Sequence, residues 1–146
     1  MNNLLQKKIL IIDDDPDELR RLGSFLSSDY VVIEVDDSSR AIEIVKSEHP
    51  DLVLVDVMMR KVSGYSVCTQ IKSSPNTKEI PVMIVTSLGT KTSKNIGKET
   101  GADEYIIRPV KPDQLYNVIS RFLGWLKRRI LIVGIGFEIA TIEARA

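Results

Sequence analysis

Short apolar runs alternate with amphipathic runs five times along the chain, and this alternation restricts the fold more than any other feature. The apolar runs are Ile9–Ile12, Tyr30–Val35, Leu52–Val55, Val82–Val85 and Tyr105–Ile107. Four of them are almost continuously apolar, which is typical of strands that are covered on both faces. Strands that alternate with helices form right-handed βαβ units, so the pattern predicts an α/β fold with a parallel sheet.

The second apolar run differs from the others. Val31, Ile33 and Val35 alternate with Val32 and Glu34, and a strand with one polar face suits the edge of a sheet. This pattern predicts that the second strand is an edge strand.

Several helix boundaries can be read from capping residues. Asp15 and Pro16 suit the start of the first helix, and Glu18 is placed for a capping box. We expect the second helix to start at Ser38 or Ser39 and to end at His49. The remaining predicted helices are about 63–73, 92–100 and from Pro112 onward.

The fourth predicted helix is weak. Ile96 is almost its only apolar residue, and Gly97 lowers helix stability by about 1 kcal/mol relative to Ala. A weakly anchored helix can move, so we expect mobility on this face of the protein.

Composition excludes several classes of protein. The chain has 146 residues, enough for one domain, and its 20 basic and 20 acidic side chains give no global field for nucleic acid or anionic membranes. Cys68 is the single cysteine, so an internal disulfide is excluded and a buried structural thiol is expected. No long apolar stretch resembles a signal peptide or a membrane span, so a cytoplasmic location is the expectation.

Two of the apolar strands end in acids. Asp13, Asp14 and Asp15 follow the first strand, and Asp56 follows the third. The carboxyl ends of parallel strands form the ligand-binding edge of such sheets. Two carboxylates about 4 Å apart repel by roughly 4 kcal/mol at an effective dielectric constant of about 20. A hard divalent cation such as Mg²⁺ would relieve that repulsion.

The residues that follow Asp56 complete a recognisable pattern. Gly64 precedes the third helix, Thr86 ends the fourth strand, and Tyr105 precedes the Arg108-Pro109 pair at the end of the fifth. With the acids after the first strand, residues 7–124 resemble a response-regulator receiver domain of two-component signalling. The resemblance implies a doubly wound, flavodoxin-like fold with strand order 2-1-3-4-5 and helices on both faces.

The resemblance also implies a role for each site residue. Asp56 would accept a phosphoryl group, and Mg²⁺ would be held by Asp14, by Asp13 through water, by Asp56 and by the backbone carbonyl of Met58. Thr86 and Arg108 would contact the phosphoryl oxygens. Movement of Thr86 would let Tyr105 swing inward, which changes a protein-binding surface. Asp15 remains a helix cap, Gly64 a structural residue, and His49 a surface residue at a helix end.

The chain departs from the family pattern at two positions. The family usually has Lys where this chain has Arg108, and Pro where it has Arg60. Arg keeps the charge but presents a wider planar group, so phosphorylation could be coupled weakly to switching. Lys111 lies beyond Pro109 and is a poor substitute. Arg60 is expected to make its loop more flexible and more basic. Apolar Met58 and Leu88 flank the site and suggest a long-lived phosphorylated state.

The leading hypothesis is a phosphorylation-dependent signalling switch rather than an enzyme. Its partners would be a histidine kinase or phosphotransfer protein and a downstream target or output domain, with a homodimer through the face of the fourth and fifth helices also expected. The alternative is a receiver-like interaction module that does not depend on phosphate, which Arg108 favours. A flavodoxin-like cofactor-binding protein or a hydrolase is a third interpretation.

The C-terminal segment is the part that this hypothesis leaves unexplained. We expect a receiver domain over 1–124, and over 125–146 an extension or the start of a truncated following domain. The run Ile130–Phe137 contains G-x-G, but Ile139 stands where a dinucleotide fingerprint needs a third glycine. An alternative is that this segment pairs with a sheet edge.

Overall fold

Five parallel strands form one sheet in this computed structural model, which describes residues 6–124. The strands are β1 (Lys8–Ile12), β2 (Val31–Val35), β3 (Leu52–Val55), β4 (Val82–Thr86) and β5 (Glu104–Ile107). They lie in the order β2-β1-β3-β4-β5. The order implied by the resemblance is therefore confirmed, and β2 is an edge strand as the alternation predicted.

Within residues 6–124, each strand is followed by one α-helix. The helices are α1 (Pro16–Leu26), α2 (Ala41–Glu48), α3 (Gly64–Ser73), α4 (Lys91–Glu99) and α5 (Pro112–Leu123). A short 3-10 turn, Ser38–Arg40, precedes α2, so the predicted start at Ser38 or Ser39 falls on this turn and the α-helix begins slightly later. His49 ends α2 as predicted, in the left-handed conformation with φ 47°.

The start of α1 agrees with its capping signal in part. Asp15 accepts a hydrogen bond from the Asp17 N–H at 3.0 Å, and Pro16 is the first helical residue. The predicted capping box is not the contact that Glu18 makes. Its carboxylate lies against the guanidinium groups of Arg21 and Arg108 instead, because both cations are within reach of this end of the helix.

The core lies on both faces of the central strands. On one face, Leu10 and Ile12 of β1 join a buried cluster that includes Ala41 of α2 and Val67 of α3. The alternate residues of β1, Ile9 and Ile11, are also buried, and α1 contacts β1 and β2. Successive strand residues point to opposite faces, so β1 is covered on both, which explains its nearly continuous apolar sequence.

Helix α4 buries little of its own apolar surface, which agrees with the prediction of a weak helix. Ile96, its main apolar residue, is 39% exposed, and Gly97 is the buried residue of the helix. A Cβ atom at residue 97 would lie 2.8 Å from the ring of Tyr105. Gly97 therefore does more than weaken the helix, because it lets the helix backbone approach the Tyr105 ring closely.

The described residues divide into two compact units, 6–110 and 111–124. The second contains α5, which is followed by Gly124 as its C-cap, and the buried residues of α5, Leu115, Val118 and Ile119, follow helical spacing. None of the helices in residues 6–124 has the length and apolar character that crossing a bilayer requires. The predictions made for residues 125–146 lie outside the described residues.

Candidate functional site

The acids that follow β1 and β3 lie side by side at the carboxyl edge of the sheet. Ile12 pairs with Val55 in the strand register, so Asp13 and Asp56 leave the sheet at neighbouring points. The Asp56 N–H donates to the Ile12 carbonyl at 3.0 Å, which continues the strand pairing up to the site. Asp13 and Asp56 are 1% and 6% exposed. The predicted convergence of these acids is confirmed, and both carboxylates are largely removed from water.

The cation of the site is Arg108. Its guanidinium forms an ion pair with Asp13 Oδ2, lies 3.5 Å from Asp56 Oδ2, and approaches Glu18 Oε2 to 3.2 Å. The backbone N–H of Arg108 donates to the Thr86 carbonyl at 2.9 Å, which fixes the backbone just after β5. The Arg108–Pro109 peptide bond is cis. One arginine therefore contacts the acids that follow β1 and β3 and an acid in α1.

Glu18 is a site residue that sequence reasoning missed. It lies in the first turn of α1, where the sequence predicts only a capping role, yet its Oε2 also lies 3.3 Å from Arg21. Arg21 in turn donates to the Val110 carbonyl at 2.6 Å. The sequence does contain a signal for Glu18 as a site residue. It is an acid in the first turn of the helix that follows the acidic end of β1, and that turn borders the site.

Both oxygens of each buried carboxylate are engaged. Asp13 Oδ1 accepts the Asp15 N–H at 3.0 Å, and Asp56 Oδ1 accepts the Val57 N–H at 2.8 Å. In each case the other oxygen, Oδ2, faces Arg108. Burial raises the pKa of Asp13 above its usual value, and the nearby Asp56 carboxylate adds to this, whereas the Asp15 N–H and Arg108 oppose it.

Asp14 occupies a more open position than its neighbours. Its Oδ2 accepts hydrogen bonds from the Arg60 backbone N–H at 2.8 Å and from Arg60 Nε at 3.3 Å. The Arg60 side chain is 86% exposed. This contact is not evident from the sequence, which predicts only a more flexible and basic loop.

A polar pocket opens beside Asp14, with a volume of about 410 Å³. Its lining carries both signs of charge and consists of Asp14, Asp36, Asp37, Ser38, Arg60 and Lys61. Asp13 and Asp56 do not line it. Asp14 therefore marks the solvent-facing side of the acid cluster.

Thr86 and Tyr105 are the two predicted switch residues. Both side chains form a hydrogen bond with the backbone of Leu88. Thr86 is fully buried at the end of β4, and its hydroxyl oxygen accepts the Leu88 N–H at 3.4 Å. The Tyr105 hydroxyl donates to the Leu88 carbonyl at 2.8 Å. Leu88 therefore connects the two side chains, a link that the sequence had no means of indicating.

Tyr65 is a second residue that sequence reasoning missed. Its hydroxyl donates to the Ser93 carbonyl in α4 at 2.9 Å and lies 3.4 Å from the Tyr105 hydroxyl. Burial raises the pKa of Tyr105, and the hydrogen bond with Tyr65 raises it further. The Tyr105 phenol therefore stays protonated and able to donate at neutral pH.

The remaining candidates lie close to their expected positions. The Met58 side chain is 62% exposed, and Leu88 is half-buried. Cys68 is buried and free, as predicted, with Sγ 3.5 Å from the Thr100 carbonyl. Met58 and Leu88 therefore supply apolar surface near the site, and Cys68 belongs to the core.

The residue types at the site suit a divalent ion, but their side chains are not arranged to bind one. Three carboxylates supply the oxygen ligands that Mg²⁺ prefers. Within residues 6–124, however, no group of three or more acidic, histidine or cysteine side chains is arranged so that it could hold a metal. Arg108 and Arg60 contact the carboxylate oxygens that would ligate such an ion.

Curated relatives share most of the chain. It is 38% identical over 117 residues to the "Probable transcriptional regulator ycf27" of Galdieria sulphuraria, which spans 79% of this chain but only 45% of the relative. It is 32% identical over 118 residues to "Protein PilH" of Pseudomonas aeruginosa, covering 80% of this chain and 98% of the relative. The chain thus spans less than half of the first relative and nearly all of the second.

The fold also matches solved structures. The receiver domain of the sensor histidine kinase PA1611 from Pseudomonas aeruginosa, solved with magnesium in its active-site cleft, has a TM-score of 0.76 at 23% identity. The match covers 82% of this chain and 98% of that chain. Residues 9–120 match the family model described as the response regulator receiver domain. The chain belongs to the response regulator receiver domain family.

Proposed function

We propose that the chain accepts a phosphoryl group on Asp56 and transmits the signal as a change in a protein-binding surface. The observation that carries this proposal is the position of Asp56 Oδ2, 3.5 Å from the Arg108 guanidinium and beside the Asp13 carboxylate. Carboxylates serve as nucleophiles in such reactions, and phosphoryl transfer requires mainly positioning and neutralisation of charge. A buried carboxylate with a cation beside it meets both requirements.

The two oxygens of Asp56 would have different roles. The Val57 N–H binds Oδ1, and Oδ2 faces the cation. With the ion bound at one of these oxygens, the other would attack phosphorus. The new P–O bond forms as the bond between phosphorus and the leaving atom of the donor breaks. Arg108 would pair with one phosphoryl oxygen, and the Thr86 hydroxyl would donate to another.

Asp13, Asp14, Asp56 and the backbone carbonyl of Met58 would hold Mg²⁺. When bound, the ion would neutralise charge on the carboxylates and on the phosphoryl oxygens. The oxygen-rich donor set supports this assignment, as does the magnesium in the receiver of similar fold from Pseudomonas aeruginosa.

Leu88 would couple the chemistry to the surface. A Thr86 hydroxyl that turns toward the phosphoryl group releases the Leu88 N–H, and the Leu88 carbonyl is the acceptor for Tyr105. A change at Thr86 would therefore alter the hydrogen bond that places Tyr105 near α4. This is a local change in packing with an effect at the surface.

The phosphoryl donor would be a histidine kinase or a phosphotransfer protein, and the output a contact with a downstream protein or output domain. A homodimer is the remaining predicted partner. Sedimentation velocity before and after acetyl phosphate treatment tests it, with an increase in the dimer fraction as the expected result.

The second candidate function is an interaction module that does not depend on phosphate. Its support is that Arg108 already pairs with Asp13 and Asp56 without any phosphoryl group. Such a module would bind its partner equally well as wild type and as Asp56→Asn.

Intact-mass spectrometry after incubation with acetyl phosphate and Mg²⁺ tests the leading proposal. Wild type should gain one phosphoryl group, and Asp56→Asn should gain none. Asp36→Asn is the matched control, because it removes an exposed acid that lines the nearby pocket. Chelation of the metal before the donor is added should prevent the adduct. No adduct on wild type, with Mg²⁺ binding shown by a melting shift, would favour the phosphate-independent module.

A further inference from the structure

Arg108 and a divalent ion would compete for the same carboxylate oxygens. Backbone N–H groups already bind Oδ1 of Asp13 and Oδ1 of Asp56. The two Oδ2 atoms are the ones that Arg108 contacts. Two cations brought close to these oxygens would repel each other in a site with little water to screen them.

The guanidinium is not fully satisfied where it lies. Its Nε atom is buried and has no hydrogen-bond partner among the described residues. Glu18 Oε2 lies 3.2 Å away, which is close enough for an ion pair, but the N–H direction does not meet the requirements of a hydrogen bond. A buried N–H without an acceptor costs free energy, so a small movement toward Glu18 would improve this contact.

We propose that Arg108 is an internal counter-cation that a divalent ion displaces from Asp13 and Asp56, with Glu18 retaining the released guanidinium. This inference rests on the proposed function, since it concerns the same metal-binding acids. It follows that metal binding and the position of Arg108 are linked. Removal of Arg108 must then strengthen metal binding, because the ion no longer has to displace a cation.

Arg60 provides a matched control within the same site. It carries the same charge and contacts Asp14, but its side chain is 86% exposed and water screens it. The backbone N–H of residue 60 also donates to Asp14 and survives substitution by alanine. If only the net charge near the acids mattered, Arg60→Ala and Arg108→Ala would change the affinity for Mg²⁺ equally.

Isothermal titration calorimetry with Mg²⁺ at fixed ionic strength measures this difference on wild type, Arg108→Ala, Arg108→Lys and Arg60→Ala. We expect Arg108→Ala to bind Mg²⁺ about tenfold or more tightly than wild type, which is the scale of a close buried charge pair. Arg60→Ala should change the affinity by about twofold or less, as for an exposed ion pair. Arg108→Lys should lie between wild type and Arg108→Ala, because a compact ammonium group cannot contact both acids as a guanidinium does.

A second measurement does not depend on the stability of Arg108→Ala. The Nε–H resonance of Arg108 in ¹⁵N-arginine-labelled wild type, assigned by its loss in Arg108→Lys, should shift when Mg²⁺ is added but not when NaCl of equal ionic strength is added. In Glu18→Gln the released guanidinium lacks its carboxylate, so Mg²⁺ should also accelerate exchange of this N–H with solvent.

The outcomes separate the inference from the proposed function. Equal affinities of wild type and Arg108→Ala for Mg²⁺, or an unmoved Nε–H resonance while the ion binds, would overturn the inference alone. Binding by Arg108→Ala but not by wild type would support the inference and weaken the metal-dependent function of the natural chain. Failure of every variant to bind Mg²⁺ would overturn both.

Discussion

Gly64 lies so close to Asp56 that a Cβ atom at residue 64 would come within 2.0 Å of the Asp56 carbonyl oxygen. The same Cβ would lie 2.9 Å from the Val57 Cα atom. All of these neighbours are backbone atoms, which cannot rotate away as a side chain can. The first turn of α3 therefore packs directly on the backbone that carries the proposed phosphoryl acceptor.

Gly64→Ala is expected to destabilise the fold by about 1–3 kcal/mol or more, because the backbone on one side must move. Gly89→Ala is the matched control. Its nearest contacts, at 3.6 Å, are ordinary ones with Ile107, so its effect should stay within about 0.5 kcal/mol. Urea denaturation of both variants gives the comparison, and equal stability of the two would contradict the close approach.

Gly97→Ala should also destabilise the protein, although Ala is the better helix former by about 1 kcal/mol. The added methyl group would lie 2.8 Å from the Tyr105 ring, and such overpacking typically costs about 1–3 kcal/mol. In a Tyr105→Ala background the ring is absent, so the same substitution should be nearly neutral or stabilising. A double-mutant cycle from thermal denaturation measures this, and equal effects in both backgrounds would contradict the proposed contact.

Helix α4 shows what sequence could and could not predict about the fold. Hydrophobic periodicity and capping residues located every helix and strand, because these signals are local. Which residue of α4 faces the core depends on Tyr105, which belongs to another element. Helix propensity identifies Gly97 only as a poor helix former. The close contact with Tyr105 that favours glycine there forms only in the folded protein.

Thr86→Val and Tyr105→Phe should have effects on stability that do not add. Thr86→Val removes the hydroxyl that accepts the Leu88 N–H, and Tyr105→Phe removes the hydroxyl that donates to the Leu88 carbonyl. Side chains that share a partner typically show interaction energies of about 0.5 kcal/mol or more. Each substitution alone should cost about 0.5–1.5 kcal/mol as a lost hydrogen bond.

Thr77→Val with Thr86→Val is the control for that cycle. The Thr77 hydroxyl donates to the Ile71 carbonyl rather than to Leu88, so these two effects should add. Urea denaturation of the single and double variants gives both cycles. Additivity in the Thr86 and Tyr105 cycle would remove the support for coupling through Leu88.

The sequence predicts that the acids of the candidate site lie together, but it does not predict their contacts. Acids at the ends of β1 and β3 converge by the rules of parallel sheets, so Asp13 and Asp56 could be paired from sequence. The partners of the two arginines could not be predicted in this way. A long side chain can reach several acids, and the sequence does not show which of these acids it will contact. Arg108 contacts Glu18 as well as Asp13 and Asp56, and Arg60 contacts Asp14.

Asp37 should remain ionised to unusually low pH. The Ser39 hydroxyl and the Lys61 ammonium donate to its carboxylate at 2.6 and 3.1 Å, and the Ser39 N–H adds a third bond. These contacts lower the pKa of Asp37 from 3.8 to about 2. Between these two values the unfolded chain binds more protons than the folded one, so stability falls as the pH falls. The stabilisation from Asp37 is therefore complete above pH 3.8 and is lost as the pH approaches about 2.

NMR titration of the Asp37 carboxyl carbon measures this pKa directly. At pH 3 the group should still be mostly ionised in wild type, because its pKa lies near 2. Ser39→Ala removes the hydroxyl that contributes most to the shift, so the titration should move toward 3.8, and Lys61→Ala should move it less. The difference in unfolding free energy between wild type and Asp37→Asn should shrink as the pH falls from 3.8 to about 2. A wild-type midpoint at 3.8, unchanged in Ser39→Ala, would show that these hydrogen bonds do not hold the carboxylate in solution.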